Sequence, residues 1–322
     1  MKKLGFILDG MTYLKYYIPL IEEANFRGLS STIFVSKSNK YNCPFAKDHH
    51  HVLKSICNSY NVSLFDHDEK LINNSDIIFT VEGTKIRSLD KSKIFSLCCS
   101  TDFTASYEKY VDDVAGVVMS SQFTANYYGK TGDKNLYLGT PKFDVRINLE
   151  DVKNKYGLVD DKYVTIFYPR LRDIGNSPVR KIAEDIKKLG YKVVLKTRGK
   201  DPIQELDITQ FNFDDVSWHP HTSLELIKVS EFIVNFSSSV IEETTALQVP
   251  LINFHVKPFT KPFNFLYDFS FVQNLSTNYS FQELTDSVNR LTMTNFSKDF
   301  SDANDKLFDT RTSSKDIIDK IV

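Results

Sequence analysis

The sequence predicts an α/β protein made of two doubly wound domains, each a parallel sheet covered by helices. Three observations carry that expectation. Short apolar runs rich in Val, Ile, Leu and Phe alternate along the whole chain with amphipathic stretches of about 10–15 residues, as in buried parallel strands joined by crossover helices. The alternation pauses in a polar stretch near 140–150 and then restarts. A length of 322 residues suits two domains of ordinary size. The first domain is therefore placed at 1–145 and the second at 146–322.

Residues 3–8 read as the first strand. Residues 13–27 follow as an amphipathic helix with Pro19 near its middle, so a kink or a late helix start is expected. A strand at 31–35 and a polar loop lead to a helix around 50–60. Short strands are expected at 62–65, 76–81, 93–99 and 114–119. Ser121 is placed to cap a helix that Gly129 ends, and a strand at 136–138 closes the series before Gly139-Thr140-Pro141. The second series opens with a helical pattern at 151–156. Strands at 163–168 and 192–196 flank a helix at 177–189 that Gly190 stops. A short strand at 216–218 and a helix at 223–228 come next. Then a strand at 232–236, a helix at 241–247 and a strand at 251–254 form one unit, and helical patterns at 281–292 and 313–321 complete the chain.

Composition narrows the function classes. Hydrophobic residues make up 41% and charged residues 25%, ordinary values for a soluble globular protein. A formal net charge of −1 gives no field to gather nucleic acid, so no nucleic-acid partner is expected. The start, Met1-Lys2-Lys3, precedes an apolar run that reaches Asp9 too soon for a signal core, and no stretch of about 18 apolar residues occurs. A cytoplasmic protein is expected, compatible with peripheral work at the inner face of a membrane. The four cysteines show no zinc-ligand spacing, and Cys98 and Cys99 fall in an apolar strand pattern as buried, reduced thiols. His49-His50-His51 looks like a metal tract, but consecutive helix residues point in different directions, so a solvated helix start is the better reading. No dinucleotide fingerprint, phosphate loop or Asp-x-Asp pair is present; neither metal nor cofactor is expected.

The stretch 230–254 carries the chemistry. An apolar strand runs into Ser237-Ser238-Ser239, and a helix with Glu242 and Glu243 follows. Backbone N–H groups left open at such a helix start suit a phosphate or pyrophosphate. Glu242, one turn in, is the choice for ribose hydroxyls, with Glu243 as the alternative that only complements the helix dipole. Ligands of open α/β sheets bind beyond the carboxyl ends of the strands. Arg170, Arg172, Lys196, Arg198, His219 and His221 fall at or near such ends, and guanidinium geometry suits phosphate. The His219-Pro220-His221 loop could wall a nucleotide base.

Three segments resemble a known superfamily. They are Ser120-Ser121-Gln122-Phe123 through Tyr137-Leu138-Gly139-Thr140-Pro141-Lys142-Phe143-Asp144; Phe167-Tyr168-Pro169-Arg170-Leu171-Arg172-Asp173 with Leu195-Lys196-Thr197-Arg198-Gly199-Lys200; and the run from His219 through Glu242. Together they look like the GT-B glycosyltransferase superfamily, in the branch of CDP-glycerol glycerophosphotransferases, Kdo-type transferases and UDP-GlcNAc 2-epimerases. The likeness spans most of 110–322. It implies two Rossmann-like domains facing a cleft, with the donor held by the second and a glycan acceptor by the first.

The implied activity is transfer of a sugar, or a sugar-like phosphate group, from a CMP-, CDP- or UDP-linked donor. The acceptor would be a surface glycan or a lipid-linked glycan, in the manner of capsule, lipopolysaccharide or teichoic-type polymers. The resemblance also implies a catalytic base at a strand end of the first domain, where Asp9, Glu82 and Asp102 are the candidates, Asp9 first. Glycerophosphotransferases of the branch have His-Gly where this chain reads Cys99-Ser100-Thr101-Asp102, which argues against plain glycerophosphate transfer. A retaining enzyme would use one of these acids as a nucleophile instead. Two rivals stand: a UDP-sugar 2-epimerase, although the amino-terminal half lacks a His-Val-Glu-Ala-Gly style segment, and a non-catalytic nucleotide-sugar-binding protein.

Overall fold

The computed structural model describes residues 2–35, 50–81, 88–99, 106–168, 175–197, 206–211, 217–256 and 263–322. It divides into two compact units, Met1–Val145 with Lys306–Val322, and Arg146–Asp305.

The first unit is a seven-stranded parallel sheet. Its strands are β1 (Lys3–Leu8), β2 (Ser30–Val35), β3 (Ser63–Asp66), β4 (Ile77–Val81), β5 (Ile94–Leu97), β6 (Gly116–Met119) and β7 (Asn135–Tyr137), in the order β3-β2-β1-β4-β5-β6-β7. β1 is central and buried over its last five residues, as a strand covered on both faces must be. Its Phe6 ring lies 5.3 Å from both Tyr17 and Phe79. The first helix, α1 (Leu14–Phe26), continues through Pro19. Proline removes one helix hydrogen bond, yet Tyr17, Ile18, Leu20 and Ile21 around it are all fully buried, and packing outweighs that loss. Three shorter helices follow: α2 (His50–Ser59), α3 (Glu69–Asn73) and α4 (Gln122–Tyr127). Ser121 caps α4 by accepting from Thr124 N–H, and Gly129 takes the left-handed conformation just beyond it, the start and stop that the sequence signals.

Residues 306–322, which the sequence reading puts with the second domain, group with the first unit. The turn after β7 holds them there. Gly139 sits at φ +77 directly against Thr310 and Ser313. Asp144 accepts from the backbone N–H of Ser314 at the start of the C-terminal helix (Ser313–Ile321), and Phe143 packs edge-on against Phe308 at 5.1 Å.

The second unit is a six-stranded parallel sheet: β8 (Tyr163–Phe167), β9 (Lys192–Lys196), β10 (Thr209–Phe211), β11 (Ser230–Asn235), β12 (Leu251–Phe254) and β13 (Val272–Leu275), ordered β10-β9-β8-β11-β12-β13. Its helices are α5 (Leu149–Tyr156), α6 (Asn176–Lys188), α7 (Thr222–Lys228), α8 (Val240–Ala246), α9 (Phe281–Met293) and α10 (Ser297–Leu307). Instead of the short strand expected at 216–218, Trp218 makes an isolated bridge to His221. In both sheets the first strand lies between the second and the fourth, so chain order reverses between β1 and β4 in one and between β8 and β11 in the other. Such a switch point leaves a crevice beyond the carboxyl ends of the two strands.

A buried carboxylate helps to pin α6 in place. Asp185, 5% exposed, accepts from Lys188 Nζ at 2.8 Å, Tyr279 OH at 2.9 Å and Lys181 Nζ at 3.0 Å. Burial raises the Asp185 carboxyl, but these donors more than offset it and leave it below its ordinary 3.8. A depressed carboxylate stabilises the fold above its unfolded value, and that contribution is lost as pH falls through the folded one. Urea titrations should therefore show the Asp185→Asn variant less stable than the unmodified protein at pH 7, with the gap narrowing below about pH 4. A gap independent of pH would mean that the carboxylate charge contributes nothing.

Candidate active site

Of the donor-side candidates, Lys196 and the three serines lie at the carboxyl edge of the second sheet. Lys196 is the last residue of β9 and is buried; its carbonyl accepts from Tyr168 N–H just past β8. Ser237, Ser238 and Ser239 link β11 to α8. β9 and β11 flank β8, so Lys196 and the serine turn lie on either side of the switch strand.

The serine turn differs from its sequence expectation in one respect. Ser237 N–H donates to Asn253 Oδ1 at 2.8 Å, Ser238 N–H to Asn235 Oδ1 at 3.3 Å, and Val240 N–H to Ser238 Oγ at 3.4 Å. These backbone donors are satisfied from within rather than open to an anion. What the turn offers instead is hydroxyls. Ser237 is 4% exposed and its Oγ has no hydrogen-bond partner among the described residues. Ser239, at the N-cap of α8, makes no side-chain capping bond. Ser237 also holds φ +53, a left-handed conformation that is rare for a residue with a Cβ. Glu242 and Glu243 follow in the first turn of α8, and both are buried.

Beneath the turn lies a feature the sequence reading missed. Asn235, Asn253 and Asn274 occupy one register row across β11, β12 and β13. Asn235 and Asn253 are fully buried. Asn253 Nδ2 donates to Asn274 Oδ1 at 3.1 Å, and Asn274 Nδ2 donates to the Tyr267 carbonyl at 3.0 Å. Asn235 Oδ1 also accepts from Ser238 Oγ at 2.6 Å. The signal was present as an asparagine near the end of two apolar runs, in Val234-Asn235-Phe236 and Ile252-Asn253-Phe254, and in the polar Gln273-Asn274-Leu275, but its meaning depends on which strands are neighbours.

His219 and His221 belong to the loop that enters α7. His221 caps this helix, its Nδ1 accepting from Ser223 N–H at 3.4 Å, which leaves the proton of the neutral ring on Nε2. The loop is closed by Thr222 Oγ1, which donates to the Ser217 carbonyl and accepts from Ser217 N–H. Buried Glu225 braces it further by accepting from Lys155 Nζ at 2.9 Å and from Tyr156 OH.

Asp9 follows β1 at the switch point of the first sheet and is half-buried. Burial pushes the Tyr17 phenol up, and the charge of Asp9 adds to the effect; the phenol donates to the Ile7 carbonyl at 2.7 Å. Glu82, Asp102, Arg170, Arg172 and Arg198 lie outside the described residues, as does His49. Among the described residues no group of three or more His, Cys, Asp or Glu is placed to hold a metal ion, and no helix is long and apolar enough to cross a membrane.

Two parallel α/β sheets, each with its own switch point, define a chain of the GT-B fold, and solved structures agree. The wall teichoic acid polymerase TagF, as a variant soaked with CDPG, matches over 99% of this chain and 88% of its own, at 12% identity and a TM-score of 0.68. The UDP-GlcNAc 2-epimerase of Methanocaldococcus jannaschii matches over 98% of both chains at 13% identity, TM-score 0.65. The glycotransferase of kitacinnamycin matches over 99% of both at 9% identity, TM-score 0.62. No family model matches the chain, and no curated protein does.

Proposed function

We propose that this chain is a glycosyltransferase that moves a sugar, or a sugar-like phosphate group, from a CMP-, CDP- or UDP-linked donor to a surface glycan or lipid-linked glycan. One observation supports the reading above others: Asp9 in the first sheet and the serine turn in the second both lie at the switch points where open α/β sheets take their ligands. Fold neighbours that include glycosyltransferases and UDP-GlcNAc 2-epimerases are in keeping with it.

In this reading the hydroxyls of Ser237 and Ser239 bind the donor phosphates and Lys196 offsets the phosphate charge, while Ser238, expected from the sequence to join them, gives its hydroxyl proton to Asn235 Oδ1 instead. Arg170, Arg172 and Arg198, which follow β8 and β9 in the sequence, supply further positive charge. Glu242 takes ribose hydroxyls, and the His219–His221 loop walls the base. Asp9 removes the proton of the acceptor hydroxyl as its oxygen bonds to the donor carbon. The bond from that carbon to phosphate breaks, and the nucleotide leaves with the electron pair. Positive side chains rather than a metal ion stabilise the departing phosphate, an electrostatic demand that fixed charges meet well. The reading places the protein in the cytoplasm, at the inner face of the membrane where lipid-linked acceptors sit.

A melting screen against CMP, CDP, UDP and GDP tests the donor site. A ligand specific to the folded form at about 100 times its dissociation constant adds about 2.7 kcal/mol of stability. Failure of every nucleotide to raise the melting point would reject the site. Nucleotide release from the sugar-linked donor then separates the rivals: a transferase needs an acceptor, an epimerase does not, and a binding protein releases none.

A further inference from the structure

The asparagine row is costly by any structural measure. Burying an amide is unfavourable unless it is hydrogen-bonded, and strands that only needed packing would carry Val or Ile at these positions. Yet Asn235 and Asn253 are fully buried in the middle of the sheet, and their amides reach toward one place. Asn253 grips the N–H of Ser237, Asn235 binds both N–H and Oγ of Ser238, and Asn235 Nδ2 reaches the Ser238 carbonyl and Tyr267 OH, each at 3.4 Å. A second tier fixes the first: Asn274 accepts from Asn253 and is itself tied to the Tyr267 backbone. A left-handed serine persists only where its surroundings enforce that conformation. Here they do, and the outcome is a buried Ser237 hydroxyl with no partner among the described residues.

We propose that Asn253 is a positioning residue for nucleotide recognition: by holding Ser237 N–H, it keeps the Ser237 hydroxyl where it can donate to a phosphate of a nucleoside diphosphate or monophosphate. This rests on the reading of the serine turn as the donor-phosphate site. The choice of amide over carboxylate follows from the same role. An aspartate at 253 would accept from Ser237 N–H equally well. It could not donate to Asn274 Oδ1, and it would set a negative charge directly behind an anion site.

That difference supplies the test. Calorimetry on the full chain would compare the nucleotide that shifts the melting point with its phosphate-free nucleoside, for the unmodified protein and for Asn253→Asp. The expected result is a loss of about tenfold or more in nucleotide affinity at pH 8, from a like charge a few ångströms away. Part of it should be regained at pH 5, while nucleoside affinity is unchanged throughout. Equal losses for nucleotide and nucleoside, or no loss at all, would overturn the proposal. Should Asn253→Asp fail to fold, Asn274→Ala at the exposed end of the row removes the acceptor of Asn253 Nδ2. A weaker loss confined to phosphate-bearing ligands supports the role, and unchanged affinity rejects it. If the unmodified protein binds no nucleotide, the donor site itself fails and this inference with it. Nucleotide binding that survives both variants rejects the asparagine row alone.

Discussion

Replacing Asp9 with asparagine is expected to slow transfer by about 100- to 10,000-fold, the range that positioned general bases contribute, with nucleotide affinity unchanged. The change keeps the size and shape of the side chain and removes its charge and its basicity. Local structure should survive it. Asp9 leaves β1 at its carboxyl end, and the chain turns at once through an extended Gly10 into a short 3-10 turn closed by Tyr13 N–H on the Gly10 carbonyl at 3.0 Å. Phe6, Ile7 and Leu8 before it are fully buried, and the Phe6 ring packs on Tyr17 and Phe79. The charge is felt at Tyr17, whose phenol is raised by burial first and by Asp9 second. Acceptor-dependent nucleotide release measures the rate, and calorimetry with the bare nucleotide measures the affinity. Turnover within about tenfold of the unmodified protein would remove Asp9 from the role and pass it to Glu82 or Asp102. Loss of nucleotide affinity alongside rate would instead place Asp9 in donor binding.

How much of this was legible in the sequence depends on where each residue gets its meaning. β1, β9 and β12 have the ranges expected from the sequence, since a strand buried on both faces leaves a mostly hydrophobic signature at its centre. β10 and β13 were missed for the complementary reason. Both are sheet-edge strands with polar, partly exposed residues, Thr-Gln-Phe and Val-Gln-Asn-Leu, which lack that signature. The serine turn was found because three hydroxyl residues between an apolar strand and a helix form a local pattern. The pairing of its N–H groups was not, because Asn253 lies 16 positions away and reaches Ser237 only once β11 and β12 are neighbours. The turn after β7 shows the same limit. Gly-x-Pro-x-x-Asp from Gly139 to Asp144 reads as a way into the linker, while its partners lie some 170 residues downstream and no local pattern points to them.

That turn gives the largest stability effect expected in the first unit. Gly139→Ala should destabilise it by about 3 kcal/mol, from about 1–2 kcal/mol for a left-handed alanine and a similar amount for overpacking. The new Cβ would lie 2.1 Å from Ser313 Oγ, 3.1 Å from Ser313 Cβ and 3.0 Å from the Thr310 carbonyl, at φ +77. A flexible side chain can yield, but the Thr310 carbonyl belongs to the backbone that leads into the C-terminal helix, and that helix is held by Asp144 on Ser314 N–H. Relief at one end therefore strains the other. Adding Ser313→Gly removes two of the three close contacts and should recover part of the loss, so the double variant should be more stable than the sum of the single changes by at least about 0.5 kcal/mol. Chemical denaturation of the four proteins in the cycle measures this directly. A Gly139→Ala variant within about 0.5 kcal/mol of the unmodified protein, the range of an ordinary surface change, would show that the turn does not clamp the C-terminal segment.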